Sequence, residues 1–78
     1  MSPTIMRFAG LRVSIHTRDH PPAHIHVIGP DGEVKFNLFN WEVMEVSGFS
    51  KVTVKRIKKF LKPRTMELLQ AWKELHEK

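Results

Sequence analysis

Hydrophobic and polar side chains alternate with a period of two over much of the chain, and this pattern predicts β-strands. Leu11, Val13 and Ile15 alternate with polar neighbours, and the same alternation returns further along the chain. The last alternating segment is ambiguous, because a shift of one residue would turn its side chains to the other face of the sheet. We expect strands over about residues 11–16, 24–28, 33–39 and 42–46.

A tight turn between the second and third of these strands predicts their register. The sequence Gly29-Pro30-Asp31-Gly32 has proline and glycine at positions where a β-turn favours them. A hairpin closed by this turn places His26 opposite Lys35, with the apolar side chains of both strands on the other face. His24, two residues before His26, then shares the face with Lys35.

The hydrophobic period becomes helical after residue 49. Ser50 is typical of a helix N-cap, and Pro63 predicts the end of a first helix just before it. We expect helices over about residues 51–62 and 64–76. The pattern therefore predicts one α+β domain over residues 1–78, in which a small antiparallel meander of three to four strands is packed on one face by two C-terminal helices.

The composition indicates a small globular domain without thiol chemistry. The 78 residues are 41% hydrophobic and 27% charged, and none is cysteine. Disulfides, thiolate zinc sites and a cysteine nucleophile are thereby excluded. The sequence has no apolar run of about 18 residues and no signal-peptide pattern at its start, so we expect a cytoplasmic protein without a membrane segment.

Positive charge is concentrated in one segment of the chain. The net charge is +5, and residues 51–64 contain cations but no acid. A localised basic face is typical of proteins that bind nucleic acid or an acidic protein partner. The alternative is a helix face that only keeps the domain in solution. The candidate binding residues are Lys51, Lys55, Arg56, Lys58, Lys59, Lys62 and Arg64.

Four of the five histidines lie within residues 16–26. Histidine titrates nearest to neutral pH and is the commonest metal ligand, so this cluster is the candidate site for chemistry. With the helices on the apolar face of the sheet, we expect His16, His24 and His26 on the opposite, open face. His24, His26 and His20 are the candidates for general acid–base catalysis.

The same cluster is a candidate metal site. Two histidines one residue apart on a strand present their imidazoles to one side, as in zinc sites with an open fourth position. Neighbouring arginine and lysine side chains oppose the binding of a dication, and histidines that only shape the loop are a third interpretation. The expected zinc ligands are His16, His24 and His26, with His20 or Asp19 as alternatives to His16.

Three segments resemble the small prokaryotic domain-of-unknown-function 4160 family. They are Phe8-Ala9-Gly10-Leu11, Asp19-His20-Pro21-Pro22-Ala23-His24-Ile25-His26-Val27 and Leu68-Leu69-Gln70-Ala71-Trp72. The second segment contains the most specific motif, Asp-His-x-Pro-x-His-x-His. The resemblance implies a component of a toxin–antitoxin module, and it marks as signature positions Asp19, His20, Pro22, His24 and His26. The uninterrupted basic segment departs from similar sequences, in which acids are mixed with the cations.

Two classes of function are consistent with these observations. The first is an interaction module of a toxin–antitoxin system that contacts nucleic acid or an acidic protein partner through the basic helix. The alternative is a small histidine-dependent hydrolase, similar to a ribonuclease, with or without a metal ion. Steep salt dependence would indicate nucleic-acid binding, and loss of activity on replacement of His24 and His26 would indicate the hydrolase.

Overall fold

The computed structural model describes residues 4–76, which form an antiparallel sheet followed by a helical segment. The strands pair in sequence order, so the sheet is a meander. The α+β class is confirmed, whereas the expected number of strands is wrong because the sheet has five. The strands are β1 (Thr4–Phe8), β2 (Leu11–Ser14), β3 (His24–Ile28), β4 (Glu33–Asn37) and β5 (Val43–Ser47).

The strand that the alternation does not predict is β1. Its pairing with β2 shifts register between Thr4 and Met6. This bulge lets the adjacent side chains of Ile5 and Met6 both pack against the core, which breaks the two-residue period. The turn to β2 consists of Ala9 and Gly10, both with positive φ, at 48° and 76°. Two such residues match the right-handed twist of a tight hairpin.

The hairpin of β3 and β4 has the predicted register. His26 pairs with Lys35 and Val27 pairs with Val34. The turn is closed by a hydrogen bond of 2.9 Å from the Gly29 amide to the carbonyl at residue 32. The local turn sequence and the apolar pattern therefore determine this part of the sheet together.

The pairing of β5 with β4 shows which face of the sheet each side chain of β5 occupies. Val46 lies opposite Val34 and Glu45 lies opposite Lys35, with a register shift next to these pairs. Glu45 and Lys35 form an ion pair with an Nζ–Oε1 distance of 2.9 Å. Val46 therefore shares the face of Val34, and Glu45 shares the face of His26.

The C-terminal residues form one helical segment rather than two separate helices. Helix α1 (Lys51–Leu61) continues through a 3₁₀ turn (Lys62–Arg64) into α2 (Thr65–His76). The backbone stays right-handed helical at the junction, with φ and ψ of −55° and −41° at residue 62. Pro63 fits here because it lies in the first turn of the 3₁₀ segment, where its missing N–H matters least. The predicted N-cap is confirmed, since the Ser50 hydroxyl accepts a hydrogen bond from the Thr53 amide.

The core lies between one face of the sheet and the helical segment. Each large aliphatic side chain buried there contributes about 1.5–3 kcal/mol to the free energy of unfolding. The buried indole of Trp41 donates a hydrogen bond of 2.9 Å to the Thr65 hydroxyl and so links the β4–β5 turn to α2. Across residues 4–76, no helix is both long and apolar enough to cross a membrane. The buried strand residues include Val13, Ile15, Ile25, Val27, Val34 and Phe36, and the buried helix residues are Ile57, Leu61 and Leu68.

Candidate functional site

The face of the sheet that carries the histidines is covered rather than open. His24 and His26 are only 4% and 5% exposed, and Ser14 on the neighbouring strand is fully buried. The loop between β2 and β3 returns the side chain of Asp19 to this face, where it contacts both imidazoles. The prediction of an open face is therefore wrong at the centre of the sheet. The β2–β3 loop covers the histidine face of β3, and the helical segment covers the opposite face.

Aromatic rings form a continuous row across this site. The rings of His16 and His26 stack at 3.7 Å and 2°, and the His24 ring meets His26 edge-on at 5.3 Å. On its other side, His24 lies 5.1 Å from the ring of Trp72, which stacks on His76 at 3.8 Å. Helix α2 therefore forms part of the site. The helical hydrophobic pattern assigns Trp72 to the core and gives no sign of this contact.

Asp19 occupies the centre of the histidine cluster. Its Oδ2 atom lies 2.9 Å from Nε2 of His24 and 3.0 Å from Nε2 of His26. The contact with His26 has the geometry of a hydrogen bond. The contact with His24 does not, and within residues 4–76 the buried Nε2 atom of His24 has no hydrogen-bond partner. One carboxylate oxygen thus faces two ring nitrogens but bonds to only one of them.

The other ring nitrogen of His24 determines its tautomer. Nδ1 lies 2.8 Å from the carbonyl oxygen of Pro22, which follows the cis Pro21–Pro22 peptide bond. A carbonyl only accepts hydrogen bonds, so Nδ1 carries the proton. Nε2 is therefore the position at which the ring either carries a second proton and pairs with Asp19, or presents a lone pair to a ligand.

His26 lies between two carboxylates. In addition to Asp19 at Nε2, its Nδ1 atom lies 3.3 Å from Oε2 of Glu33, a residue at the start of β4. Carboxylates accept but do not donate, so both contacts are hydrogen bonds only when the ring is an imidazolium. The site therefore surrounds His26 with negative charge, which the sequence pattern alone does not predict.

The electrostatics of the cluster shift two pKa values downward. Burial raises the pKa of Asp19, but the hydrogen bond from His26 and the positive charge of the histidines outweigh it, so the net pKa lies below 3.8. Burial lowers the pKa of His16 below 6.5, and His26 lowers it further, against the opposing effect of Asp19. The cluster thus favours an ionised Asp19 and a neutral His16.

The donor atoms that come together differ in part from the predicted metal ligands. His16, Asp19 and His26 each offer one ligand atom, and these atoms lie within 4.8 Å of one another. His24 joins them through its contact with Asp19. His20 is exposed and lies outside the row of rings. Catalysis by His20, His24 and His26 stays a prediction, and two of these three residues lie beneath the surface.

The predicted basic helix presents most of its cations to solvent. Lys58 and Arg64 are only partly exposed, and Arg64 stacks on the ring of Phe60 with its guanidinium carbon 4.0 Å from the ring centroid. The ring of Phe8 stacks on Phe60 at 4.1 Å, so both faces of the Phe60 ring are covered. The exposed cations are Lys51, Lys55, Arg56, Lys59 and Lys62.

An apolar groove of about 340 Å³ runs between β5 and α1. Its floor contains exposed valines of β5, and three lysines of α1 line its helical side. Sequence reasoning missed this groove because the orientation of the last strand is ambiguous in the pattern. The lining residues are Val43, Val46, Phe49, Val54, Lys51, Lys55 and Lys58.

Comparison with protein families matches residues 10–73 to the sequence model described as Domain of unknown function (DUF4160). The chain belongs to the DUF4160 family. The matched part of this DUF4160 domain contains both the histidine cluster and the basic helix, whereas β1 precedes it. No curated protein and no solved structure matches the chain.

Proposed function

We propose that this DUF4160 domain is an interaction module that binds an acidic segment of a partner protein in the groove between β5 and α1. The observation that carries the proposal is the combination of an apolar floor with a row of lysines along one side. Opposite charges across an interface steer the encounter, and apolar contacts supply binding free energy. The groove provides both kinds of contact in one place.

The apolar floor favours a protein over a nucleic acid. Binding to nucleic acid without sequence preference relies on cations and on open aromatic faces on which bases stack. Phe60, the aromatic residue within the basic helix, has both ring faces covered by Phe8 and Arg64. The groove instead offers valine side chains, which fit the apolar side chains of a peptide.

The position of β5 indicates how such a segment binds. In the sheet order β1-β2-β3-β4-β5, this strand is at an edge and pairs on one side only. An extended peptide can add to an exposed edge through main-chain hydrogen bonds. Val43 and Val46 are 42% and 49% exposed beside that edge. The segment we propose therefore alternates acidic and apolar side chains, so that one set meets the lysines and the other meets the valines.

The biological context we propose is a toxin–antitoxin module, in which two proteins form a complex. The resemblance noted from the sequence supports this context, and an acidic segment of the companion protein is the expected occupant of the groove. Charge complementarity at the rim would make its association rate dependent on salt.

The experiment compares two probes of similar negative charge, a peptide that alternates glutamate with valine and a single-stranded RNA. Binding is measured by fluorescence anisotropy at several salt concentrations. Val46→Lys adds a cation but removes part of the apolar floor, so it should weaken peptide binding and strengthen RNA binding. Lys51→Glu and Lys55→Glu should weaken peptide binding more than the matched controls Lys59→Glu and Lys62→Glu, whose side chains lie outside the groove lining.

Two results would contradict the proposal. One is RNA binding tighter than peptide binding at the same salt concentration. The other is an equal loss of peptide binding in all four charge-reversal variants, because this would show that the whole helix face binds anions without using the groove.

A further inference from the structure

We propose that Asp19, His24 and His26 bind a divalent transition-metal ion of the zinc class. The ligand atoms are Oδ2 of Asp19 and the Nε2 atoms of the two histidines. This site lies on the opposite face of the sheet from the core and is independent of the proposed groove. It also differs from the set expected from sequence, since a carboxylate takes the place of His16.

Two of the three distances between the donor atoms are already close to the spacing of metal ligands. Zinc bonds to nitrogen and oxygen are about 2.0–2.1 Å long, so ligand atoms at the corners of a tetrahedron are about 3.3 Å apart. The distances from Asp19 Oδ2 to the His24 and His26 nitrogens are 2.9 and 3.0 Å. An opening of a few tenths of an ångström along each of these two edges would bring Asp19 and the two histidines to tetrahedral spacing.

The hydrogen bonding of His24 gives the strongest support for a bound cation. Its Nδ1–H donates to the Pro22 carbonyl, which is the outer hydrogen bond that metal-bound histidines usually make. Its Nε2 atom is buried and lacks a hydrogen-bond partner within residues 4–76, although the Asp19 oxygen is 2.9 Å away. These two atoms can approach so closely only with a cation between them, and a metal ion bound to both would take the place of a proton on Nε2.

His26 has the same two-sided arrangement with a different outer partner. Its Nδ1 atom contacts Glu33 while its Nε2 atom contacts Asp19. A carboxylate, a histidine and a metal in this order form a common outer-shell arrangement. When the ion binds, Nε2 gives its proton to solvent and Nδ1–H remains bonded to Glu33. The charges of Asp19 and Glu33 then balance the two positive charges of the ion.

His16 covers this site without binding the ion. Its ring is parallel to that of His26 at a distance of 3.7 Å, so an ion in the plane of the His26 ring lies outside the plane of the His16 ring. Imidazole binds metals in its own plane, and a fourth position therefore remains for water or another small ligand. Two imidazoles with one carboxylate favour zinc-class ions over calcium or magnesium, which prefer oxygen ligands.

The experiment uses untagged, metal-stripped protein and titrates it with zinc alone. Calorimetry should show one ion bound per chain with release of a proton, and cobalt should give the visible absorption of a tetrahedral site. In wild-type protein, ¹⁵N NMR of the imidazoles should show zinc-dependent shifts at Nε2 of His24 and His26, while Nδ1 of His24 stays protonated. This measurement needs no variant and therefore does not depend on whether a substitution preserves the fold.

Variants then test each ligand. Asp19→Asn, His24→Gln and His26→Gln should each weaken zinc binding by more than 100-fold, and Glu33→Gln by roughly 10–100-fold, the usual effect of an outer partner. The exposed His20→Gln in the same loop is the matched control and should bind zinc like the wild type. The proposal is overturned if the wild type binds no zinc, if the ring shifts occur at His20 or His76 instead, or if a folded Asp19→Asn protein binds zinc unchanged.

Discussion

The Oδ2 atom of Asp19 lies 3.0 Å from the Nε2 atom of His26, which follows seven residues later in the chain. This contact attaches the loop between β2 and β3 to the face of the sheet that carries the histidines. Because of it, the histidine face is buried, and a strand that would otherwise be amphipathic is covered on both sides. The stability of the domain and the chemistry of the site should therefore depend on the same carboxylate.

Asp19→Asn should lower the free energy of unfolding of the metal-free protein by about 1–1.5 kcal/mol. This is roughly the difference between a hydrogen bond to a charged group and one between neutral groups. Urea denaturation in the presence of a chelator measures it. Asp31→Asn, at an exposed aspartate in the β3–β4 turn, is the matched control and should change the free energy by less than about 0.5 kcal/mol. Equal effects of the two substitutions would contradict the assigned role of Asp19.

The effect of Asp19→Asn should also depend on pH. The pKa of Asp19 is below 3.8 in the folded protein, because the hydrogen bond from His26 and the neighbouring histidines outweigh the opposing effect of burial. A carboxyl group whose pKa is lowered by folding stabilises the protein above its unfolded pKa and loses this contribution as pH falls through the folded value. The part of the difference that comes from ionisation of Asp19 should thus shrink as pH falls below the unfolded pKa of about 3.9. A difference that grows as pH falls would contradict this.

Thr65→Val should destabilise the protein by about 1–3 kcal/mol, since it leaves the buried indole N–H of Trp41 without its acceptor. Thermal and urea unfolding, followed by circular dichroism, would report the loss. The exposed Thr17→Val serves as the comparison, because it makes the same chemical change away from the core. If both variants have the stability of the wild type, this hydrogen bond does not connect sheet and helix in solution.

Ala9→Asn should stabilise the protein by about 0.5–1 kcal/mol. Ala9 has a φ of 48°, a left-handed conformation that is costly for alanine and easier for asparagine, and Asn-Gly is a favoured sequence for this two-residue turn. Ala9→Val should have the opposite effect, because a β-branched side chain is more strained at positive φ. Urea denaturation of the two variants tests the sign, and a more stable Ala9→Val protein would show that the turn has another conformation.

The parts of the fold that could be predicted from sequence are those determined by local chemistry. The register of β3 and β4 follows from the turn at residues 29–32 together with the alternation of apolar residues, and Ser50 identifies the start of the helix. Strand β1 was missed because its bulge places Ile5 and Met6 side by side on the core. A pattern search for strict alternation cannot detect such a strand.

The candidate site was predictable only in part. That His24 and His26 lie on the same side of one strand follows from the geometry of a β-strand. The contact of Asp19 with these two histidines depends on the path of a nine-residue loop (residues 15–23). The spacing of hydrophobic residues does not predict the path of a loop. The contact of Trp72 with His24 depends likewise on how the continuous helical segment passes the end of β3. Both contacts are tertiary, and they change an expected open face into a buried site.

The most direct test of this buried site is diffraction at the zinc absorption edge from crystals grown with one equivalent of zinc. The account predicts one anomalous peak per chain, bonded to Oδ2 of Asp19 and to Nε2 of both His24 and His26, with Nδ1 of His24 still bonded to the Pro22 carbonyl. A well-ordered cluster without a peak, or a peak found only at His20 or His76, would contradict it.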